Sequence, residues 1–472
     1  MMKKFFITAF ILVSGLGAGA QQYRIEFKLE NINDSVLYVA RHFRDQLQVV
    51  DSARASKNGS FIFQGKKGMT RGIYALVHQG KEKSIGDFVI DDSRQFTITA
   101  DANLTPSTVK VKGSEANSAM FDYLATLSEA RKEMGDIRKR KQDASTKEQA
   151  EAEEKALTER MEAYEAKVRH PKKAQLFFDL VNFFDDTDVP DSVTNKAYYY
   201  RVHYWDRLFS EKLPVPMKEL VYTPNFFNKV NYFFFGQLYH AESDTIIKEI
   251  DRLATRIGND TAFLRYVFDH IEPRYFRSTR NIGWDAVWCH LAGEYYLKGR
   301  CPWVSEGTLH NMKYNYNRIK QSLIGAHAQE LWMADTNQSS DPKDWISSHR
   351  FPTKYVILWF WDPDCHHCQE QSEQLKVVYD SLLTAPYRPF EVYAIGYESD
   401  VPKWKNYVKK HNFRWVNVGG PNVNIDYQEA YNVHGAPTMI ILNENRDIIM
   451  NKVIPIKNLL KFLEEYEKKA KH

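Results

Sequence analysis

Cysteine is scarce in this chain of 472 residues: it has four, Cys289, Cys301, Cys365 and Cys368. That is too few for the disulfide-stapled scaffold that small secreted domains rely on. Long apolar runs are missing after residue 20, so no permanent membrane-spanning helix is expected. An excess of either charge is missing as well. Setting aside Lys3 and Lys4 leaves 62 basic residues against 60 acidic ones, a net of +2. No strongly basic domain emerges, which argues against a nucleic-acid partner. What the chain does have is length enough for about two to four domains. It is also rich in aromatic residues, 14% of the total, enough to build several well-packed cores.

The first 20 residues stand apart. Lys3 and Lys4 precede a short apolar stretch from Phe5 to Leu16, and Ala18-Gly19-Ala20 follows. This is the layout of a cleavable secretory leader, with cleavage expected ahead of Gln21. No cysteine follows the small residues, so a lipid anchor is not suggested. The expectation is an exported, soluble, periplasmic protein.

Residues 21–113 read as a small antiparallel β-sandwich. Tyr23, Ile25, Phe27 and Leu29 alternate with polar residues, as do Phe61-Ile62-Phe63, Phe96-Thr97-Ile98 and Val109-Lys110-Val111. Turn signals at 31–34, 57–59 and 78–80 separate them. No catalytic constellation stands out here, and turn solvation and alternation account for Asp87, Asp91 and Asp92 better than a metal site does.

Residues 114–322 read as an α-helical domain. Ser128 to His170 is rich in charge, with Leu157, Met161, Tyr164 and Val168 at coiled-coil spacing. A solvated helix, or a hairpin bent near Asp143 to Ser145, is expected, with Pro171 as its stop. Aromatic clusters follow, among them Phe177-Phe178, Tyr198-Tyr199-Tyr200 and Tyr232-Phe233-Phe234-Phe235. Residues of this kind fill cores between helices. The sharper alternative is an apolar surface for an unfolded client or a second subunit, which would make a homodimer. Cys289 falls inside the helical pattern from Trp284 to Leu297, and Cys301 beyond its end. At about 1.5 Å per residue Cys289 is more than about 10 Å from that end, whereas a disulfide needs Cα atoms within about 7 Å. Two unpaired, buried cysteines are expected.

The most informative stretch is Trp361-Asp362-Pro363-Asp364-Cys365-His366-His367-Cys368. The run from Tyr355 to Phe360 ahead of it reads as a fully buried strand. Behind it, Leu375, Val378 and Leu382 recur at helical spacing. Cys365 therefore stands at the first turn of a helix, where unpaired N–H groups and the macrodipole favour negative charge. A thiolate is favoured there, and the thiolate is the nucleophile. Cys368 lies one turn on, close enough to resolve a mixed disulfide. Asp364 is the candidate N-cap.

Downstream the pattern gives a strand (390–397), a helix (401–411), a strand (414–418) and a short helix (427–433). Gly435-Ala436-Pro437-Thr438, two more strands (439–442 and 448–450) and a final helix (456–469) complete it. This order, with CxxC and a later Ala-Pro-Thr, resembles the thioredoxin fold in its exported TlpA/ResA-like branch, over residues 323–472. The β-domain and the helical region resemble those that precede such domains in Bacteroidetes-type proteins. The resemblance implies a thiol-disulfide oxidoreductase that needs no cofactor, acts on protein disulfides or thiols and is recycled by a redox partner. It implies roles for Cys365 as nucleophile and Cys368 as resolving thiol. It further implies Pro437 in cis, with Ala436 and Thr438 orienting the client backbone, Trp361 shielding the sulfurs, and His367 favouring the Cys365 thiolate. For His366 two readings stay open: a part in the same effect, or a side chain that points to solvent and matters little.

The sequence departs from the family at two places. Trp359 and Gln371 stand where relatives place a proton-accepting carboxylate, which leaves Glu370, a histidine or water for that task. Two other readings stay open: a copper or zinc site made by the Cys-His-His-Cys cluster, and a client-binding scaffold with little turnover.

Overall fold

A computed structural model of the chain describes residues 23–470, apart from 66–68, 81–83, 92, 144, 170–174, 185–186, 211–216, 279–280 and 398–399. The expected leader lies outside the described residues, as do Asp92, His170 and Pro171. The chain divides into two compact units, Met1–Phe233 and Phe234–His472. The helices of the 114–322 span are shared between them.

In the first unit, alternation produces eight strands: β1 (Tyr23–Glu30), β2 (Val36–Phe43), β3 (Gln46–Arg54), β4 (Ser60–Gly65), β5 (Gly72–His78), β6 (Ser84–Ile90), β7 (Gln95–Asp101) and β8 (Lys110–Lys112). They form two four-stranded sheets, ordered β4-β1-β7-β8 and β3-β2-β5-β6. Phe27 of β1 meets Phe88 of β6 edge-on at 5.2 Å between ring centroids, and Phe88 meets Phe96 of β7 at 6.3 Å. Aromatic rings from both sheets thus share one core, as a sandwich requires. One detail corrects the all-antiparallel expectation: β1 and β7 run parallel. Side-chain alternation is the same in either orientation, so the pattern carries no information about it.

The charged segment that follows is a hairpin of α1 (Glu115–Arg140) and α2 (Lys147–Val168). Its seam is narrow, with Ile137, Ala150 and Leu157 buried and Met134 and Met161 beside them. Cross-pairs, such as the half-buried Lys141–Glu154 at 2.7 Å and the exposed Arg160–Glu133 at 2.5 Å, flank it. Asn117 ties this hairpin to the sandwich. Its fully buried amide accepts from Val89 N and donates to Val89 O, each at 2.7 Å. Val89 belongs to the edge strand β6, so one side chain satisfies backbone groups that a missing neighbour strand leaves open. Then come α3 (Gln175–Phe184), α4 (Lys196–His203), α5 (Met217–Leu220) and α6 (Pro224–Tyr232). Phe177, Phe178, Phe226 and Phe233 are buried there, while Tyr198 and Tyr232 are half exposed.

In the second unit, α7 (Ser243–Ile257), α8 (Thr261–Phe276), α9 (Trp284–His290) and α10 (Glu306–Gln321) precede a seven-stranded sheet. Its strands are β9 (Trp332–Asp335), β10 (Ile346–Ser347), β11 (Tyr355–Trp361), β12 (Phe390–Gly396), β13 (Val416–Val423), β14 (Thr438–Leu442) and β15 (Ile448–Met450), in the order β10-β9-β13-β12-β11-β14-β15. Parallel pairs β11–β12 and β12–β13 meet antiparallel β14 and β15. The helices are α11 (His366–Leu383), α12 (Val401–His411), α13 (Tyr427–Ala430) and α14 (Leu459–Ala470).

All seven residues of β11 are buried, because both faces of the sheet are covered. Tyr355, Ile357, Trp359 and Trp361 join one core cluster, with residues of α11, α12 and α14. Val356, Leu358 and Phe360 join the other. Gly396, at the end of β12, lets α12 close in: a Cβ there would sit 2.9 Å from the Trp404 indole nitrogen. The result is a buried central strand that ends at Trp361 and delivers the chain to the start of α11.

Candidate active site

The N-cap of α11 is Cys365 itself, with an extended backbone, and its Sγ accepts the Cys368 N–H at 3.2 Å. This corrects the expectation for Asp364. The Asp364 carboxylate instead pairs with Lys403 of α12, and its own N–H donates to Asp362 Oδ1 at 2.7 Å. Cys365 N donates to Asp362 O at 3.1 Å, closing the turn that brings the sulfur to the helix end. A sulfur so placed accepts a helix N–H and lies at the positive end of the helix macrodipole.

The two cysteines differ in access. Cys365 is partly exposed, whereas Cys368 is fully buried in the cluster that holds Trp359 and Trp361. Burial, followed by the hydrogen bond to Cys365, pushes the Cys368 thiol well above its ordinary range. The negative charge of Asp362 acts in the same direction, and the Asp362 backbone N–H partly offsets it. Asp362 was not singled out from the sequence, since only the fold turns it toward the second cysteine.

Ala436, which is 71 residues from Cys365, and Pro437 after it come to the same place. The Ala436–Pro437 bond is cis, and Cys365 Sγ lies 3.6 Å from Ala436 O. Thr438 Oγ1 donates to Gly435 O at 2.8 Å, folding the loop before β14 begins. Four of the expected site residues, Cys365, Cys368, Ala436 and Pro437, thus converge, with Thr438 next in line.

Trp361 is placed differently. It is wholly buried and packs edge-on against Tyr407 and Phe413, with centroids at 5.5 and 5.6 Å. His366 and His367 are exposed, and their rings face Glu370 rather than a sulfur. His366 Nε2 lies 3.3 Å and His367 Nδ1 3.6 Å from its carboxylate oxygens. The two positions that depart from the family are also settled geometrically. Trp359 Nε1 donates to Ser372 Oγ at 3.0 Å inside the core, and the buried Gln371 Oε1 has no partner among the described residues. Among those residues no group of three or more histidine, cysteine or carboxylate side chains could hold a metal ion. No helix among them is long and apolar enough to cross a membrane.

Cys289 and Cys301 are both buried and free, and burial pushes each thiol up to about 12. In the unfolded chain they ionise near the ordinary value of about 8.5. The native state therefore holds their protons where the unfolded state loses them. Their contribution to stability is fully present below about pH 8.5 and declines as pH rises toward 12. Cys289→Ala and Cys301→Ala are expected to flatten the alkaline fall of the urea midpoint between about pH 8 and 10.5, even if each lowers the midpoint at neutrality. An unchanged alkaline slope would contradict this.

A family described as thioredoxin-like matches residues 353–448, and a domain of unknown function (DUF4369) matches residues 23–120. A domain of a possible thiol-disulfide isomerase of Cytophaga hutchinsonii is 31% identical, covering 32% of this chain and 96% of that one, with a TM-score of 0.27. A thioredoxin-like protein of Bacteroides caccae is 16% identical over 60% of this chain and 98% of its own, with a TM-score of 0.44. The thioredoxin domain of a thiol-disulfide oxidoreductase of Bacteroides vulgatus is 19% identical over 30% and 96%, with a TM-score of 0.26. Among curated proteins none matches the chain.

Proposed function

We propose, from the premise that this chain belongs through its C-terminal third to the thioredoxin-like family, that it is an exported thiol-disulfide oxidoreductase acting on protein clients. One observation carries the reading: an accessible thiol caps a helix while its partner, one turn on, is buried beneath it. The Cys365 thiolate attacks a client disulfide, forms a mixed disulfide and expels the first client sulfur, which takes up a proton. Cys368 then loses its proton and attacks Cys365 Sγ, closing the Cys365–Cys368 disulfide and releasing the second client thiolate, which is protonated in turn. The client gains two electrons and two protons, and the dithiol loses them. A separate redox partner returns the pair to the dithiol, and run in reverse the same steps oxidise a client.

Pro437, Ala436 and Thr438 orient the client backbone in this reading. His367, held on the surface by Glu370, acts on the thiolate through its charge and not by a direct hydrogen bond. Cys368 is the slow step, because its proton is held by burial and Gln371 offers a neutral amide where a base would serve.

The test is the reduction potential of the Cys365–Cys368 pair, equilibrated with glutathione, in wild type and His367→Ala. A value near about −270 mV marks a reductase, and one near about −180 to −120 mV marks an isomerase or oxidant. A more negative potential in His367→Ala supports its tuning role, since a charge that stabilises the thiolate stabilises the reduced form. Absence of a reversible disulfide sinks the enzymatic reading and favours a binding scaffold.

A further inference from the structure

Within the second unit, one helix of the region ahead of the sheet reaches the segment that becomes the proline loop. Arg318 of α10 is nearly buried, and its Nε lies 3.0 Å from Glu429 Oε2 on α13. Its Nη2 donates to Gln428 O at 3.2 Å, and its Nη1 donates to Tyr314 OH at 3.2 Å. Tyr314 OH in turn donates to Glu429 Oε1 at 2.7 Å. Arginine, tyrosine and carboxylate thus close a ring of contacts between two elements 110 residues apart in sequence.

The shared carbonyl is what carries the contact onward. Gln428 O also accepts from Val433 N at 3.0 Å, the bond that turns the chain after α13. Three residues later comes Ala436, whose carbonyl lies beside Cys365 Sγ. The opposite side of this turn is held by the lead-in to the sheet, where Tyr431 OH donates to Gln329 O. Burial first and then the Arg318 charge lower the pKa of His434, one residue before Gly435, with the Glu429 charge acting against them.

We propose that Arg318, with Tyr314 and Glu429, is a positioning residue for the Ala436–Pro437 loop, so that α10 is a working part of the client-binding edge of the active site. The inference rests on the thiol-exchange reading above and adds to it a role for the helical region. A guanidinium fits the task, because its charge faces the Glu429 carboxylate while its two Nη groups donate to the Gln428 carbonyl and the Tyr314 hydroxyl, a planar fork that a lysine cannot reproduce. Glu429 is about half exposed, so neutralising Arg318 leaves no stranded buried charge.

The experiment compares two substrates in Arg318→Gln, Arg318→Lys and Glu429→Gln: a peptide with a disulfide, which engages the loop backbone, and bis(2-hydroxyethyl) disulfide, which has no backbone to engage. Arg318→Gln is expected to raise the peptide KM about tenfold, a modest case of the loss that follows misplacement of a binding group. The rate with the small disulfide should stay within about twofold, since it has no backbone for the loop to place and the α11 cap that holds Cys365 Sγ makes no contact with Arg318. Arg318→Lys should restore the peptide KM only in part, and Glu429→Gln should raise it. The His434 ring, followed by NMR, should titrate at higher pH in Arg318→Gln because a neighbouring positive charge is gone. Equal losses on both substrates, or an unchanged peptide KM, overturn the proposal. If wild type exchanges neither disulfide, the parent reading has failed. The His434 titration and amide exchange over residues 431–438 then decide the brace, and no change in either overturns it.

Discussion

Cys365→Ser is expected to lower disulfide exchange by about three orders of magnitude or more, the scale on which loss of a covalent nucleophile is felt. The thiolate is the attacking species, and a serine hydroxyl does not ionise in the accessible range. The fold should hardly notice. Cys365 is the N-cap of α11, and a serine oxygen accepts the Cys368 N–H as well as sulfur does. The unfolding midpoint should therefore shift by no more than about 1 kcal/mol in either direction. Cys368→Ser should behave differently: attack survives, resolution fails, and a client mixed disulfide with Cys365 accumulates on non-reducing gels. The asymmetry follows from access, since Cys365 is partly exposed and Cys368 is not exposed at all. If the serine at 368 abolished capture and the serine at 365 allowed it, the order of attack would be reversed.

Most of the C-terminal architecture could be read from the sequence because its signals are local. A buried apolar run bounded by turn residues gives β11, and helical spacing gives α11. The pair Cys365–Cys368 and the Ala-Pro-Thr stretch are short motifs at a fixed place in that order. What escaped the reading depends on distance or on side-chain direction. The cap is Cys365 because α11 begins at His366, one residue later than a cap at Asp364 requires, and the Asp364 carboxylate pairs with Lys403 on another helix. Which face of β11 Trp361 occupies could not be read, since both faces are apolar and the alternation is silent. The charge of Asp362 on Cys368 and the grip of Arg318 on Glu429 need the tertiary fold. The same holds for the parallel pairing of β1 with β7, where the residue pattern fits either direction.

Trp361→Ala tests the shielding role that the resemblance implied for this residue. A tryptophan that shielded the sulfurs from the outside would, when removed, change client affinity and leave stability alone. The structure has it fully buried, packed against Tyr407 and Phe413 in the cluster that also holds Cys368. Truncation there removes a large buried ring and leaves a void, which costs about 3–5 kcal/mol. The unfolding transition of the C-terminal unit should move to lower urea by the corresponding amount. Cys368 should become reactive with a small alkylating agent, because the packing that seals it is gone. Trp361→Phe should cost clearly less than the alanine change. It keeps most of the aromatic contact and removes an indole N–H that is buried without a partner among the described residues, a group whose desolvation already weighs against the native state. A raised client KM with an unchanged transition and a still-protected Cys368 would return Trp361 to the client surface. A lost transition with Cys368 exposed makes the tryptophan the floor on which the resolving thiol rests, and ties the slow step of the reaction to how tightly that floor is packed.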